Sequence, residues 1–253
     1  MTVLLLRLCG PMQAWGTQSR FTVRDTGLEP SKSGVIGLLC AIIGRPRSES
    51  VDDMASLRMG VRVDKEGIMK RDYQTAGGGL FRGEKYYVIR ADGKPGGTVT
   101  SNRYYLADAD FLAGLEAVDD AGVVLLHEIN DKLREPNWQL CLGRKACPPS
   151  VPVHLPDNES LINDRSLLDA LISYPWPRLG APLPPENRRP DRLRFVLETD
   201  YGDGPETRHD QPEGVSFSTR RFLPRSVKTI FKDLGRDIPI RKEVRHVPLP
   251  ADS

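Results

Sequence analysis

The sequence predicts an α+β fold, and the order of apolar patterns in its first part is the reason. Compact or alternating apolar runs indicate strands, and apolar residues spaced three or four apart indicate a helix. In chain order the predicted elements are a strand, a helix, two strands, a helix and a strand: Thr2–Cys9, Ser31–Ile43, Leu57–Asp64, Ile68–Thr75, Asp119–Glu135 and Trp138–Leu142. This βαββαβ order is the ferredoxin-like unit that RNA-recognition modules also use.

The first strand and the first helix have the clearest signals. Thr2–Cys9 is apolar except for Arg7, as expected of a central strand. Gly10 and Pro11 then end the strand. The helix begins after Ser31, whose hydroxyl can accept a hydrogen bond from a free backbone N–H of the first turn.

The start of this helix has the composition of an anion site. Lys32, Ser33 and Gly34 follow Ser31, and a helix N-terminus with free N–H donors and a cation binds phosphate readily. An ordinary capped core helix is the alternative. A nucleotide-binding phosphate loop requires glycine immediately before the lysine, so Ser31 argues against a nucleotide hydrolase.

The next elements follow from spacing alone. Leu57–Asp64 alternates, which predicts a strand with one buried face, and a turn at Lys65–Gly67 leads to the paired strand Ile68–Thr75. Asp119–Glu135 has a helical apolar stripe, and Trp138–Leu142 predicts a short strand that ends near Arg144 and Lys145.

Residues Ala76–Ser101 interrupt this pattern and predict an inserted β-hairpin thumb. The turn Asp92–Gly97 lies between two β-rich arms, Lys85–Ala91 and Thr98–Tyr105. The hairpin and its edge contain cations and tyrosines, among them Arg82, Lys85, Arg90, Lys94, Arg103, Tyr86, Tyr87, Tyr104 and Tyr105. Interleaved cations and aromatic rings suit a nucleic-acid strand. A solvated ribbon with tyrosines packed across strands is the alternative.

The domain organisation follows from composition. We predict that residues 1–150 form an RNA-recognition-like domain with the thumb at about 76–101, and that residues 151–253 form a Pro-rich and β-rich region packed on it. The expected strands of the second region are Leu193–Thr199, Val215–Leu223 and Ser226–Phe231. Whether this region is a separate domain stays open.

The net charge of +2 is too small to indicate nucleic-acid binding by itself, but its distribution is uneven. Met1 to Arg47 contains six basic and two acidic residues, and Arg220 to Arg245 contains nine and three. Arg103 to Pro136 contains three basic and eight acidic residues. This pattern predicts separate faces for separate partners. We expect the basic loops and strand ends to neutralise phosphates.

Motifs of catalysis, metal binding and membrane insertion are missing from the sequence. The histidines, His127, His154, His209 and His246, belong to no metal or nucleophile motif, and Cys141 and Cys147 lack zinc-site spacing. No apolar run approaches the ~20 residues of a membrane helix, and the first residues have no signal-peptide pattern. We therefore predict a cytoplasmic protein with no cofactor, no metal, no catalytic residue and no membrane contact.

Four stretches, in this order, carry a family resemblance: Leu6–Gly16, Pro30–Leu39, Arg103–Leu115 and Leu142–Pro149. Together they resemble the CasD subunit family of the type I-E CRISPR Cascade effector complex. The resemblance covers residues 1 to about 150, with weaker similarity near Phe222–Val227. Four ordered motifs are more specific than any single one.

The resemblance implies a modified RNA-recognition fold with a protruding hairpin thumb. It implies a non-catalytic subunit that binds and caps the 5′ handle of the CRISPR RNA in antiviral defence. It also implies contacts with the backbone subunit CasC, with the large subunit CasA and, indirectly, with target DNA. In such complexes the guide pairs with its target while protein holds the backbone and the shape.

The resemblance and the basic patches together give one predicted RNA-binding set: Gln13, Trp15, Arg20, Arg24, Ser31, Lys32, Ser33, Gly34, Arg82, Arg103, Arg144 and Lys145. Gln13 and Trp15 would shape the pocket, although core packing is an equal alternative for Trp15. Two other functions stay open. One is a metal-independent endoribonuclease that processes CRISPR precursor RNA, as the related subunit of a sister subtype does. The other is an assembly subunit whose basic patches meet acidic proteins.

Overall fold

The computed structural model describes residues 1–19, 22–78, 80–81, 84–85, 87–89, 93–156, 159–177, 181–213 and 221–241. The helices in these ranges are α1 Lys32–Ile43, α2 Asp52–Ser56, α3 Asp120–Lys132 and α4 Leu167–Ser173. The strands are β1 Thr2–Cys9, β2 Met12–Gln13, β3 Val23–Arg24, β4 Arg58–Lys65, β5 Ile68–Ala76, β6 Leu80–Phe81, β7 Glu84–Lys85, β8 Val88–Ile89, β9 Pro95–Gly96, β10 Val99–Ala107, β11 Asp110–Glu116, β12 Leu161–Asn163, β13 Arg192–Glu198, β14 Glu206–Glu213 and β15 Arg221–Asp233. The predicted α+β class is confirmed.

The main sheet contains seven of the described strands, in the order β12-β1-β11-β4-β13-β15-β14. Each neighbouring pair is antiparallel. At the centre, Leu5 of β1 lies opposite Gly114 of β11, and Val3 lies opposite Ile162 of β12. The N-terminal strands and the C-terminal strands therefore belong to one continuous sheet.

Helices cover both faces of this sheet. On one face, α1, α2 and α3 pack on the side chains that include Leu4, Leu6 and Leu8 of β1. On the other face, α4 packs on Val3 and Leu5. Because β1 is buried on both faces, its sequence is a continuous apolar run rather than an alternation. Within the part of the chain that the structure describes, no helix is both long and apolar enough to cross a membrane.

The predicted partner of the strand β4 is wrong. Ile68–Thr75 pairs with β10 in a second sheet, and β11 lies beside β4 instead. The predicted single buried face of β4 is also wrong, because Met59–Asp64 are all buried and the strand is covered on both faces. Alternation does not identify the neighbouring strand either. β10 and β11 follow one another closely and are separated at Asp108, which has a positive φ of 57°.

The predicted strand Trp138–Leu142 is also wrong. The backbone N–H groups of Asn137 and Trp138 donate to the carbonyls of Ile42 and Ala41, each at 3.0 Å. The last carbonyls of a helix have no partner within the helix, and this irregular segment supplies donors to α1. The strand that follows α3 in the main sheet is β12.

β5 and β10 form a long antiparallel pair, which we call the ribbon. Its register extends from Ile68 opposite Ala107 to Ala76 opposite Val99. β2 and β3 pair with the other edge of β10. Most of β5 is exposed, so the ribbon stands away from the main core.

The predicted thumb lies at the outer end of this ribbon. Its second arm coincides with most of β10, but the long partner of β10 is β5 and not Lys85–Ala91. In the described part of that first arm, Val88–Ile89 pairs with Pro95–Gly96, which is a short hairpin around the predicted turn.

The C-terminal strands extend the main sheet beyond β4. β13 pairs with β4, and β15 pairs with both β13 and β14. β15 continues through Pro224, where the sequence predicted a break between two strands. Residues 215–220 of the first predicted strand, Val215–Leu223, lie outside the described residues. The register shifts between His209 and Gln211, opposite Pro224, so Asp210 is the extra residue of a β-bulge.

Two phenylalanines on neighbouring C-terminal strands test how far these strands belong to the core. Phe195 of β13 is fully buried against α4, whereas Phe231 of β15 is 51% exposed. We expect Phe195→Ala to lower the free energy of unfolding by about 3–5 kcal/mol, because it leaves a cavity. Phe231→Ala should cost less than about 1 kcal/mol. Urea midpoints measure both, and equal costs would contradict a shared core.

Candidate nucleic-acid interface

One side of the ribbon carries a row of cations. β3 lies parallel to β10, so Arg24 is opposite Arg103, and Arg103 is opposite Asp72 of β5. Directly opposed residues share a face of a sheet. Lys70 lies two residues from Asp72 and therefore projects to the same side. Arg24 and Lys70 are exposed, and Arg103 is half-buried with its Nε donating to Ser101 Oγ at 3.2 Å.

Arg144 approaches the same side of the ribbon from another loop. Its guanidinium carbon lies 4.7 Å from the centre of the Tyr105 ring, which is a cation–π contact. The same guanidinium donates to three backbone oxygens, those of Tyr104, Arg24 and Asp25, at 3.1, 2.9 and 3.1 Å. Arg144 therefore holds the loop before α1 against the ribbon.

The turn that carries Arg144 and Lys145 depends on Gly143. This glycine has a φ of +89°, and a Cβ atom there would lie 1.8 Å from the carbonyl oxygen of Ala14. Only glycine combines this backbone conformation with so close an approach. Lys145 is exposed beside it. We call Arg24, Lys70, Arg103, Arg144 and Lys145 the cationic side of the ribbon.

Asp25 orders the loop on which Arg24 lies. Its carboxylate accepts hydrogen bonds from the backbone N–H groups of Thr17 and Gln18, at 3.2 and 2.9 Å, and from the Ser19 hydroxyl. Partial burial by itself would raise the pKa of Asp25, but the bonds from Ser19, Gln18 and Thr17 lower it below the usual value. The carboxylate is therefore ionised at neutral pH and keeps these bonds.

The start of α1 is not an open anion site in this structure. Ser31 caps the helix as predicted, with its Oγ accepting from Gly34 N–H at 3.3 Å. The Lys32 N–H, however, donates to the Asp210 carboxylate at 2.7 Å, and the Lys32 ammonium lies 2.9 Å from Glu198. Lys32 is only 1% exposed. In this structure Lys32 is held by carboxylates of the chain itself, and a phosphate contact at Lys32 stays a prediction.

Lys32 belongs to a buried group of four charges. Arg225 of β15 donates to both carboxylate oxygens of Asp210, at 2.6 and 3.1 Å, and lies 3.6 Å from Glu198. Glu198 also accepts from the backbone N–H of Met59 at 3.0 Å. Burial lowers the pKa of the Lys32 ammonium, although Glu198 acts in the opposite direction. Two cations and two anions thus neutralise each other inside the protein.

Gln13 and Trp15 form a buried pair. Trp15 Nε1 donates to Gln13 Oε1 at 2.9 Å, and Gln13 Nε2 donates to the carbonyls of Leu8 and Ala109 at 3.0 and 2.9 Å. Both side chains are almost fully buried. A Cβ atom on Gly34 would lie 2.8 Å from the Trp15 ring, so this glycine lets the ring pack on α1. The alternative of core packing for Trp15 describes this arrangement, and neither residue lines an open pocket.

The structure divides the predicted site in two. Arg24, Arg103, Arg144 and Lys145 come together on the cationic side of the ribbon. Ser31, Lys32, Ser33 and Gly34 lie buried or half-buried at the start of α1. Arg20 and Arg82 lie outside the described residues.

Sequence reasoning missed Lys70 and the acidic partners Glu198 and Asp210. Lys70 had a signal, because it lies on a predicted strand next to Arg71. Asp210 had none, since it stands in a polar stretch more than a hundred residues from Lys32, and its inward direction comes from the β-bulge.

Two aspartates that each pair with an arginine test the buried group. Asp210 is 2% exposed, whereas the side chain of Asp200 is 73% exposed beside Arg58. We expect Asp210→Asn to lower the free energy of unfolding by about 3 kcal/mol, because it leaves buried cations under-compensated. Asp200→Asn should cost less than about 1 kcal/mol. Urea denaturation compares them, and a small cost at Asp210 would contradict the assigned role.

Comparisons with known proteins agree with this geometry. Residues 3–228 match the family model described as "CRISPR-associated protein (Cas_Cas5)". The chain is 32% identical over 181 residues to the CRISPR system Cascade subunit CasD of Escherichia coli (strain K12), which covers 66% of this chain and 75% of the relative.

Solved structures resemble the whole fold. One, described as "Crystal structure of Cas protein", has a TM-score of 0.69 and 38% identity, and the match covers 94% of this chain and 98% of the other. Another, from a CRISPR RNA-guided surveillance complex, has a TM-score of 0.68 and 29% identity, with 93% and 95% covered. The resemblance to the CasD subunit family is thereby confirmed. The chain belongs to the Cas5 family of CRISPR-associated proteins.

Proposed function

We propose that this chain is the non-catalytic subunit of a type I-E CRISPR Cascade complex that binds and caps the 5′ handle of the CRISPR RNA in antiviral defence. The observation that carries this proposal is the cationic side of the ribbon, where Arg24 and Arg103 are direct neighbours and Lys145 is exposed nearby. The identity to the E. coli Cascade subunit CasD and the similarity to a chain of an RNA-guided complex support RNA as the partner.

The chemistry of this side suits a single-stranded RNA backbone. Cations that neutralise phosphates release counterions from the nucleic acid, and this release supplies affinity without reading the sequence. Asp72 lies beside Arg103 in the same row and repels phosphate. Within the cationic side, the RNA phosphates therefore lie beside the exposed cations Arg24, Lys70 and Lys145 rather than beside Asp72.

We also propose that the centre of the fold is a ferredoxin-like unit. Its support is the strand order: α1 connects β1 to β4 with β11 between them, and α3 precedes β12, which lies on the far side of β1 from β11. This arrangement is a pair of split βαβ units. Residues 1–150 and 151–253 then act together, because β12 and β13 of the second part pair with β1 and β4.

The other side of the ribbon exposes several large apolar side chains, which suits a protein partner. Val23 lies opposite Asn102, and Asn102 lies opposite Tyr73, so these residues project away from the cationic side. Val23, Met69 and Tyr73 are all exposed there, and the exposed Arg71 lies between the last two. We assign this side to the backbone subunit CasC and leave CasA to other surfaces. Target DNA is contacted only indirectly, through the guide, and the assembly acts in the cytoplasm.

An endoribonuclease remains the alternative function. RNA cleavage by acid–base catalysis needs a titratable group within hydrogen-bond reach of the 2′-hydroxyl. His127 and His209 are exposed on α3 and β14, and His154 lies half-buried with its Nδ1 2.9 Å from the Leu155 carbonyl oxygen. None of these three belongs to the cationic side, and His246 lies outside the described residues. The residues that the structure describes also contain no metal-binding cluster.

A cleavage assay separates the two functions. We expect the full chain, incubated with a complete CRISPR repeat RNA in EDTA, to leave the RNA intact, because none of the three histidines that the structure describes lies beside the cationic side. Electrophoresis of end-labelled RNA measures the outcome. Cleavage at the handle boundary would contradict the non-catalytic proposal.

Arg24→Gln tests the RNA-binding side. We expect weaker binding of a single-stranded RNA that carries the 5′ handle, because one phosphate contact is lost. The slope of log K against log salt concentration should become shallower by about 0.7. Fluorescence anisotropy over a range of salt concentrations measures both quantities.

Arg134→Gln is the matched control. Arg134 is an exposed arginine just beyond the end of α3, outside the cationic side. We expect it to leave the affinity and the salt slope almost unchanged. An equal loss at both positions would show that net charge alone attracts the RNA and would contradict a defined site.

A further inference from the structure

Glu29 connects the loop before α1 to the C-terminal strands. Its carboxylate accepts a hydrogen bond from Arg194 Nη1 of β13 at 2.9 Å and from Arg208 Nε of β14 at 3.2 Å. Arg194 also reaches the Leu28 carbonyl oxygen at 3.5 Å. The Glu29 side chain is only 14% exposed. Two strands from the far end of the sequence therefore hold one carboxylate of this loop.

The preceding part of the same loop is fixed from the other direction. Thr26 Oγ1 accepts from the Trp15 N–H at 2.9 Å, and Gly27 N–H donates to the Trp15 carbonyl at 2.9 Å. Arg144 holds the carbonyl of Arg24 itself. The short segment from Arg24 to Glu29 is thus anchored at both ends, and its free part is the exposed Arg24 side chain.

We propose that Glu29 is a positioning residue for RNA binding: clamped by Arg194 and Arg208, it fixes the segment that presents Arg24 to the RNA. The inference rests on the proposed function, since it explains how that RNA site is kept in place. A group held in its bound geometry before binding loses less freedom when the ligand arrives, which favours affinity.

The sign of the effect makes this proposal testable. Glu29→Gln removes a negative charge from the neighbourhood of the RNA, and Coulomb attraction alone would then strengthen binding. Positioning predicts the reverse. We expect roughly three- to tenfold weaker binding of the single-stranded handle RNA, together with a salt slope that is shallower by up to about 0.7, as for Arg24→Gln.

The double variant tests whether Glu29 acts through Arg24. If it does, Glu29→Gln combined with Arg24→Gln should bind no more weakly than Arg24→Gln alone, because coupled residues are not additive. Additive losses would overturn the proposal, as would unchanged or stronger binding of Glu29→Gln. Arg208→Gln removes one of the two donors to Glu29 and should show the same non-additivity with Arg24→Gln, which keeps the test decisive if Glu29→Gln does not fold.

Glu66→Gln is the matched control for the loss of a carboxylate. Glu66 accepts from Arg194 Nε and Nη2 at 2.8 and 3.0 Å, and its side chain is 58% exposed. It lies in the turn between β4 and β5 rather than in the loop of Arg24. We expect no loss of RNA affinity from it. Glu29→Asp keeps the charge and should restore part of the affinity, which a purely structural role would not require.

The outcomes also separate this inference from the proposed function. If the wild-type chain does not bind the handle RNA in a salt-dependent way, the proposed function fails. If the wild type binds and Arg24→Gln weakens binding while Glu29→Gln does not, only the positioning role fails. Thermal unfolding, followed by circular dichroism, confirms that each variant is folded at the temperature of the binding assay.

Discussion

The arrangement of this protein depends on one contact, in which the Asp210 carboxylate of β14 accepts a hydrogen bond from the backbone N–H of Lys32 in the first turn of α1. Free N–H groups at a helix start attract an anion, and here the anion comes from the chain itself. Burying that charge is tolerable only because Arg225 and Lys32 accompany it and Glu198 balances the second cation. The group joins α1 to β13, β14 and β15, so the helix and the C-terminal strands are positioned together.

Pro224 explains how Asp210 reaches this position. Proline has no N–H to donate to a sheet, so the hydrogen-bond ladder between β14 and β15 is interrupted opposite His209. A β-bulge accommodates the interruption and redirects the extra residue, which is Asp210. The buried group is neutral overall, with two cations and two anions. It therefore adds no net charge at the start of α1, and the exposed cations Arg24 and Lys70 lie on the ribbon instead.

The predictions that succeeded came from local signals. The apolar run of β1, the Ser31 cap and the helical stripe of α3 each involve neighbouring residues, and the structure has all three. The strand pairings and the charge partners are not local. Lys32 shows the difference, because a capped start with a cation looks the same whether phosphate or a carboxylate 178 residues away occupies it. Likewise, the short turn at Lys65–Gly67 suggests β4 as the partner of Ile68–Thr75, but it does not exclude β10, with which this strand pairs.

The register of the ribbon gives its two sides different tasks. Successive side chains of a strand project to opposite faces, so Arg24 and Arg103 belong to one side while Val23 and Tyr73 belong to the other. A shift of β3 by one residue would exchange the two sides. The loop that follows β3 begins at Arg24, whose pairing with Arg103 defines this register. Its other end is held at Glu29, which accepts hydrogen bonds from Arg194 and Arg208. The division of charge is incomplete, because Arg71 lies between Met69 and Tyr73 on the second side and Ile68 lies with Lys70 on the first. Fixing that loop therefore keeps Arg24 on the side of Arg103 and Val23 on the side of Tyr73.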